Sequence, residues 1–239
     1  MITNEQIKDF ASKYQTTELN VKREYFQHIF LSYFYQQPQT SNIYFKGGTA
    51  LHLLYKSPRF SEDLDFSSPV KTKSAIEQPL LKTLYEIGRE GIVADIQEAK
   101  PTSGGYLAEI SFSNNGQSIE ILLQISFRGT KKSGEAITVV SDLIPPYNLV
   151  SLAQDQLITE KIQALLSRKK PRDFYDFYFI LRANILPAQQ KNTLLKVSEL
   201  IKKTDINFER ELKQFLPKSH WTIIHNFEKS LEREIQKYI

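Results

Sequence analysis

The sequence contains no cysteine. That absence excludes disulfides, thiol nucleophiles and thiolate metal sites, so a bound metal would be a hard ion on oxygen ligands, and it fits a reducing compartment. Also missing is any apolar run of about 18 residues, the length a membrane-crossing helix requires. The opening residues, Met1-Ile2-Thr3-Asn4-Glu5-Gln6, lack the basic and then apolar signature of a secretion signal. Internal repeats and low-complexity segments are absent as well. The expectation is a soluble, non-exported, cytoplasmic protein with no membrane partner.

What is present is a chain of 239 residues, long enough to bury a substantial core as one large domain or two small ones. Thirty-one basic against 27 acidic side chains give a formal charge of +4, a weak pull toward polyanionic partners. The charge is clustered: Arg168, Lys169, Lys170 and Arg172 form one basic run and Lys131 with Lys132 a smaller one. Each member reads equally well as solvated surface or as a phosphate or RNA contact.

The hydrophobic period divides the chain. The spacing of Phe26, Ile29, Phe30, Tyr33 and Phe34 is helical and predicts helix from about residue 4 to 37, ended by Pro38. A strand over 43–46 then runs into Gly47-Gly48, and a helix is predicted to begin near Thr49 and stop at Pro58. Residues 61–67 alternate as a strand, followed by a helix over 74–90 and a strand over 92–98. Residues 106–113 and 117–127 flank Asn115-Gly116, a strong hairpin signal. After Pro145-Pro146 the pattern turns helical to the end. The prediction is an α/β (α+β) fold, with a mixed sheet and its helices over 1–147 and a helical bundle over 148–239.

Chemistry concentrates in the first part. Alternation along 61–67 places Asp63 and Asp65 on one face and Leu64 and Phe66 on the other. Two carboxylates that close repel unless a cation lies between them, and magnesium, which favours carboxylate and phosphate oxygens, suits the position. Gly47 and Gly48 allow close backbone approach, and free N–H groups at the helix start near Thr49 favour an anionic phosphate. The same residues also read as a tight turn with Thr49 as N-cap. An in-line displacement managed by two metal ions calls for a third carboxylate. Glu120 is preferred for it over Glu109, because the isoleucines and leucines around it put it on the face opposite the core.

In the helical part Lys161 falls inside the apolar arc of Leu157, Ile158, Ile162 and Leu165, so it must snorkel or meet an anion. Pro171 occupies a helix N1 position, which places Asp173 and Asp176 in and just after the first turn. Asp176 and Lys161 lie on successive helices, so an ion pair or a shared substrate contact is expected.

Taken in order, Phe45-Lys-Gly-Gly-Thr-Ala-Leu51, Arg59-Phe-Ser-Glu-Asp-Leu-Asp-Phe66, Glu160-Lys-Ile-Gln-Ala-Leu-Leu-Ser-Arg168 and Arg172-Asp-Phe-Tyr-Asp176 resemble the AbiEii/AbiGii-type toxin nucleotidyltransferases, including the MenT-like enzymes. The resemblance spans about residues 43 to 182. It implies a polymerase-β-like nucleotidyltransferase fold with a helical C-terminal part. It further implies that Gly47, Gly48, Thr49, Arg59 and Ser61 contact the nucleotide, that Asp63 and Asp65 hold Mg2+ or Mn2+, joined by Glu120 on the strand-face reading above, and that Lys161 binds the triphosphate with Asp176 in support. Ser61 matches a hydroxyl position that is essential or phosphorylated in some relatives. Thr49 stands where many related transferases have serine. Family members act as toxins in toxin–antitoxin or phage-defence loci, and several transfer nucleotides to the 3′ end of tRNA. The implied reaction is therefore NMP transfer from an NTP to RNA, with an antitoxin protein as partner.

Overall fold

The computed structural model describes residues 2–114, 117–129 and 131–239. The helix expected over residues 4–37 is two helices, α1 (Asn4–Lys13) and α2 (Glu18–Phe34). The chain breaks between them because Gln15 adopts a left-handed conformation (φ 53°) and Thr17 caps α2 by accepting from the Asn20 N–H. There follow β1 (Tyr44–Lys46), α3 (Gly47–Tyr55), β2 (Leu64–Ser67), α4 (Lys73–Arg89), β3 (Val93–Thr102), β4 (Gly105–Asn114), β5 (Gln117–Ser126), β6 (Gly134–Val139) and β7 (Tyr147–Leu152). Helices then dominate as α5 (Gln154–Arg168), α6 (Pro171–Arg182), α7 (Thr193–Lys202), α8 (Phe208–Leu212), α9 (Trp221–His225) and α10 (Phe227–Gln236).

The strands described form one mixed sheet in the order β3-β4-β5-β2-β1-β7-β6. β2 is antiparallel to β1 and parallel to β5, while β1 is parallel to β7. The expected turn at Asn115-Gly116 lies outside the described residues, but the strands on either side pair antiparallel, as Ser113 with Ser118. Two expectations need correction. Residues 147–152 are a strand, so helices begin only at Gln154, and β6 precedes β7 as an edge strand whose exposed pattern gives little periodic signal. β2 starts at Leu64, three residues later than the alternation suggested, so Asp63 precedes the strand.

The sheet has one covered face and one open face, and this asymmetry creates the site. On β2 and β5 the residues Leu64, Phe66, Leu123 and Ile125 are buried. Phe34 of α2 packs on Phe66 with ring centroids 5.5 Å apart, and Phe26 stacks on Phe112 at 5.4 Å. Since side chains alternate along a strand, Asp65 and Gln124 are driven to the opposite face. A single buried cluster runs from Tyr25 on α2 to Ile235 on α10, joining the sheet to the C-terminal helices. Among the described residues no helix is long and apolar enough to cross a membrane.

Candidate active site

The turn from β1 into α3 is made by Gly47, whose φ of +87° lies in the region that favours glycine. A β-carbon there would come within 2.7 Å of the Asp65 β-carbon, so the glycine turn and the second aspartate are pressed together. Gly48 is enclosed similarly: a β-carbon on it would lie 2.6 Å from Arg59 Nη2 and 2.7 Å from Ser61 Oγ. Helix α3 begins at Gly47, with Lys46 as its N-cap residue and no side-chain cap. Thr49, expected as a cap or phosphate contact, is fully buried, and its hydroxyl donates to the Asp63 carbonyl at 2.5 Å. Its work is to tie α3 to the strand entrance.

Asp65 sits in the sheet between Lys46 on β1 and Gln124 on β5. Burial raises the Asp65 pKa from its ordinary value, against the opposing charges of Lys161 and then Lys46. Asp63 is pushed up to about 6, first by burial and then by Asp65 and Glu62. Burial disfavours the charged form of both carboxylates, a cost that a bound divalent cation offsets. This donor set of two adjacent aspartates with an open face fits a cation such as magnesium.

Glu120 is not brought to that pair. It is exposed, pairs across to Ser111, and lies three residues before Leu123, where β5 first meets β2 at Leu64; this is roughly 10 Å along a strand. Glu109 is opposite Leu122 on β4, one strand further from β2. Among the described residues no group of three or more acidic or histidine side chains is arranged to hold a metal. The face parity inferred for Glu120 is right, but the β2–β5 register sets Gln124 rather than Glu120 opposite Asp65.

Asp176 on α6 is the electrostatic hub behind the cleft. It is 1% exposed and receives Arg59 Nε at 2.7 Å, Arg59 Nη2 at 3.0 Å and Lys161 Nζ at 2.8 Å. Burial alone would raise its pKa, but Arg59 and then Lys161 outweigh that and hold it near 2. The pairing of Lys161 with Asp176 is formed as the two helices allow. Arg59, 3% exposed, also donates to the Phe60 carbonyl at 3.1 Å, and its Nη2 lies against Gly48. Its place is inside the wall, joining the loop before Ser61 to α6.

Three features escaped sequence reasoning. Gln27 on α2, 1% exposed, donates to the carbonyls of Ser61 (2.9 Å) and Glu62 (3.0 Å) and so fixes the backbone that leads into Asp63. Glu160 on α5 pairs with Lys46 at 2.7 Å and with Lys132, and these lysines outweigh burial to lower its pKa. Beside Asp65 the open face forms a cleft of about 430 Å³, whose lining includes Lys46, Gln124, Arg128 and Arg168. Arg168 also bonds Asp173 at 2.6 Å. The result is a cleft that sets Asp65 beside a basic wall, with Asp63 two residues before it in the chain, suited to a polyphosphate and its counter-ion.

Two crystal structures from Helicobacter pylori share this fold. One, described as a candidate nucleotidyltransferase, is 18% identical, with a TM-score of 0.66 over 93% of this chain and 95% of its own. The other, JHP933, is 19% identical, with a TM-score of 0.66 over 93% of each chain. At that identity the likeness is one of fold. No curated protein sequence matches the chain. The family model for the AbiEii toxin nucleotidyl transferase of type IV toxin–antitoxin systems matches residues 29–236, a span that contains the glycine turn, the aspartate pair, Lys161 and Asp176, and the chain therefore belongs to the AbiEii family of toxin nucleotidyltransferases.

Proposed function

We propose that the protein transfers a nucleoside monophosphate from an NTP to the 3′ end of an RNA, with tRNA as the acceptor, and that it does so as the toxin of a pair with a cognate antitoxin protein. The observation that carries this reading is the contact between the Gly47 turn and Asp65. It sets an uncapped helix start close to the carboxylate that would hold the metal, a combination that suits a triphosphate with its cation. Magnesium, or manganese in its place, would be held by Asp63 and Asp65 and would supply charge neutralisation to the phosphates.

The chain's own residues supply position. The Gly47-Gly48 backbone admits the phosphates without a side chain in the way. Lys161, held by Asp176 at 2.8 Å, brings a positive charge near enough to favour the charged form of Asp65. Gln27 and Thr49 hold the backbone on either side of Asp63, so the carboxylate is set before substrate arrives. In the reaction the acceptor hydroxyl oxygen bonds the α-phosphorus, the bond to the bridging oxygen breaks, pyrophosphate leaves, and the hydroxyl proton passes to solvent. Phosphoryl transfer of this kind depends mainly on positioning and charge stabilisation. Arg128 and Arg168 line the cleft, and with Lys169, Lys170 and Arg172 they offer the acceptor backbone a basic track.

The test is incubation of the protein with magnesium, each labelled NTP and total cellular RNA in the presence of cell protein. Label on RNA that is lost in Asp65→Asn supports the proposal. Label on protein, or full transfer by Asp65→Asn, would contradict it.

A further inference from the structure

The β2–β5 register carries a consequence for how many cations the site can hold. Asp65 is opposite Gln124, and the two lie on the open face and line one cleft. A displacement run by two metal ions places them about 3.5–4 Å apart and needs carboxylates enough to hold both. Here the strand position beside Asp65, the natural origin of a third carboxylate, carries an amide. An amide oxygen can ligate a hard cation but brings no negative charge. Glu120, two side chains earlier on the same face, is displaced along the strand, and among the described residues no set of three acids converges.

Charge accounting points the same way. Asp63 and Asp65 together balance one divalent ion. Positive charge is already built in nearby: Lys46 is the strand partner of Asp65 and lines the same cleft, and Lys161 stands on α5, paired with Asp176. Neither lysine is loose. Lys161 is held at 2.8 Å by Asp176, and Lys46 at 2.7 Å by Glu160, which also holds Lys132. Ammonium groups held in this way can help balance the reacting phosphates in place of a second cation.

We propose that this active site takes one divalent cation per bound nucleotide, on Asp63 and Asp65, because Gln124 fills the strand position of a third carboxylate and Lys46 with Lys161 provides the remaining positive charge. The inference rests on the nucleotidyltransferase reading of the same cleft. It makes Gln124 the residue that sets the metal count, and it removes the third acid as a candidate for accepting the proton of the acceptor hydroxyl.

Electron paramagnetic resonance of manganese tests this without any turnover. The full-length protein is loaded with Mn2+ and a non-hydrolysable NTP analogue, and unbound metal is removed by gel filtration. Wild type is expected to retain one manganese per chain with the spectrum of an isolated ion, and Glu120→Gln is expected to match it. Gln124→Glu, a change at an exposed position, is expected to retain a second ion and to show the spin coupling of a close pair. A coupled pair in wild type would overturn the one-cation proposal while leaving the nucleotidyltransferase reading intact. An uncoupled spectrum in Gln124→Glu would overturn the role given to Gln124. Failure of every form to retain manganese or the analogue would overturn both readings.

Discussion

The pair of Arg59 with Asp176 offers the sharpest thermodynamic test of the architecture, because it ties the loop leading to the aspartates to the helical half. Both side chains are almost fully buried and joined by two bonds, at 2.7 and 3.0 Å. Arg59→Met keeps the length of the stem but leaves Asp176 with Lys161 alone; Asp176→Asn leaves the guanidinium without its counter-charge. Breaking a buried pair from one side strands a desolvated charge and costs about 3–5 kcal/mol. The double variant Arg59→Met/Asp176→Leu strands neither, and Lys161 has a flexible stem that can turn to the cleft. Its loss should therefore fall short of the sum of the single losses by about 2–3 kcal/mol. Urea unfolding followed by circular dichroism, with the slope checked for constancy, measures all three. Single losses below roughly 1 kcal/mol, the range of exposed pairs, or strictly additive losses would refute the claim that this pair is a buried structural joint.

Gly47→Ala should abolish or strongly reduce nucleotidyl transfer, since the added carbon meets Asp65 and the φ of +87° is strained for any side chain at a cost of about 1–3 kcal/mol; activity near wild type would refute the packing of turn against carboxylate. Gln27→Leu removes two hydrogen bonds to the Ser61 and Glu62 carbonyls and should cost about 1–3 kcal/mol, and it should lower kcat more than it raises KM; an effect on stability alone would remove its positioning role. Glu24, which faces His52 at 3.1 Å and His28 at 3.6 Å, has burial opposed by both histidines and a pKa lowered to about 2. Because the folded value lies below the unfolded one, its stabilisation of about 3 kcal/mol is fully present above pH 5 and is lost as pH falls toward 2. Acid titration of unfolding should show that loss in wild type and a flatter profile in Glu24→Gln; identical profiles would contradict it.

Much of the site was legible because it obeys local periodicities. Alternation puts Asp65 on the face opposite Leu64 and Phe66, although Asp63 precedes the strand, and the helical arc around Lys161 demands an anion, which Asp176 provides at 2.8 Å. What escaped depends on partners distant in sequence. Arg59 meets Asp176 across 117 positions, and no local pattern announces that buried pair. Gln27 could have been suspected, since α2 is buried around most of its girth, including Asn20, Gln27 and His28; a polar residue there must have a partner. Glu120 failed for a different reason. Alternation fixes the face a side chain takes but not which residue lies opposite on the next strand, and that register gave the place beside Asp65 to Gln124. Strand β7 was missed because no periodic helix-to-strand contrast marks Tyr147–Leu152 after the prolines, although the pairing of Phe45 with Ser151 makes it the direct neighbour of β1.

Equilibrium binding of each ribonucleoside triphosphate, with and without magnesium, to wild type and Asp65→Asn tests most directly whether the glycine turn and the aspartate pair form one nucleotide site. Tight binding by wild type that requires magnesium, and its loss in Asp65→Asn, is the expected result. Binding of equal strength without the metal, or unchanged by Asp65→Asn, would contradict it.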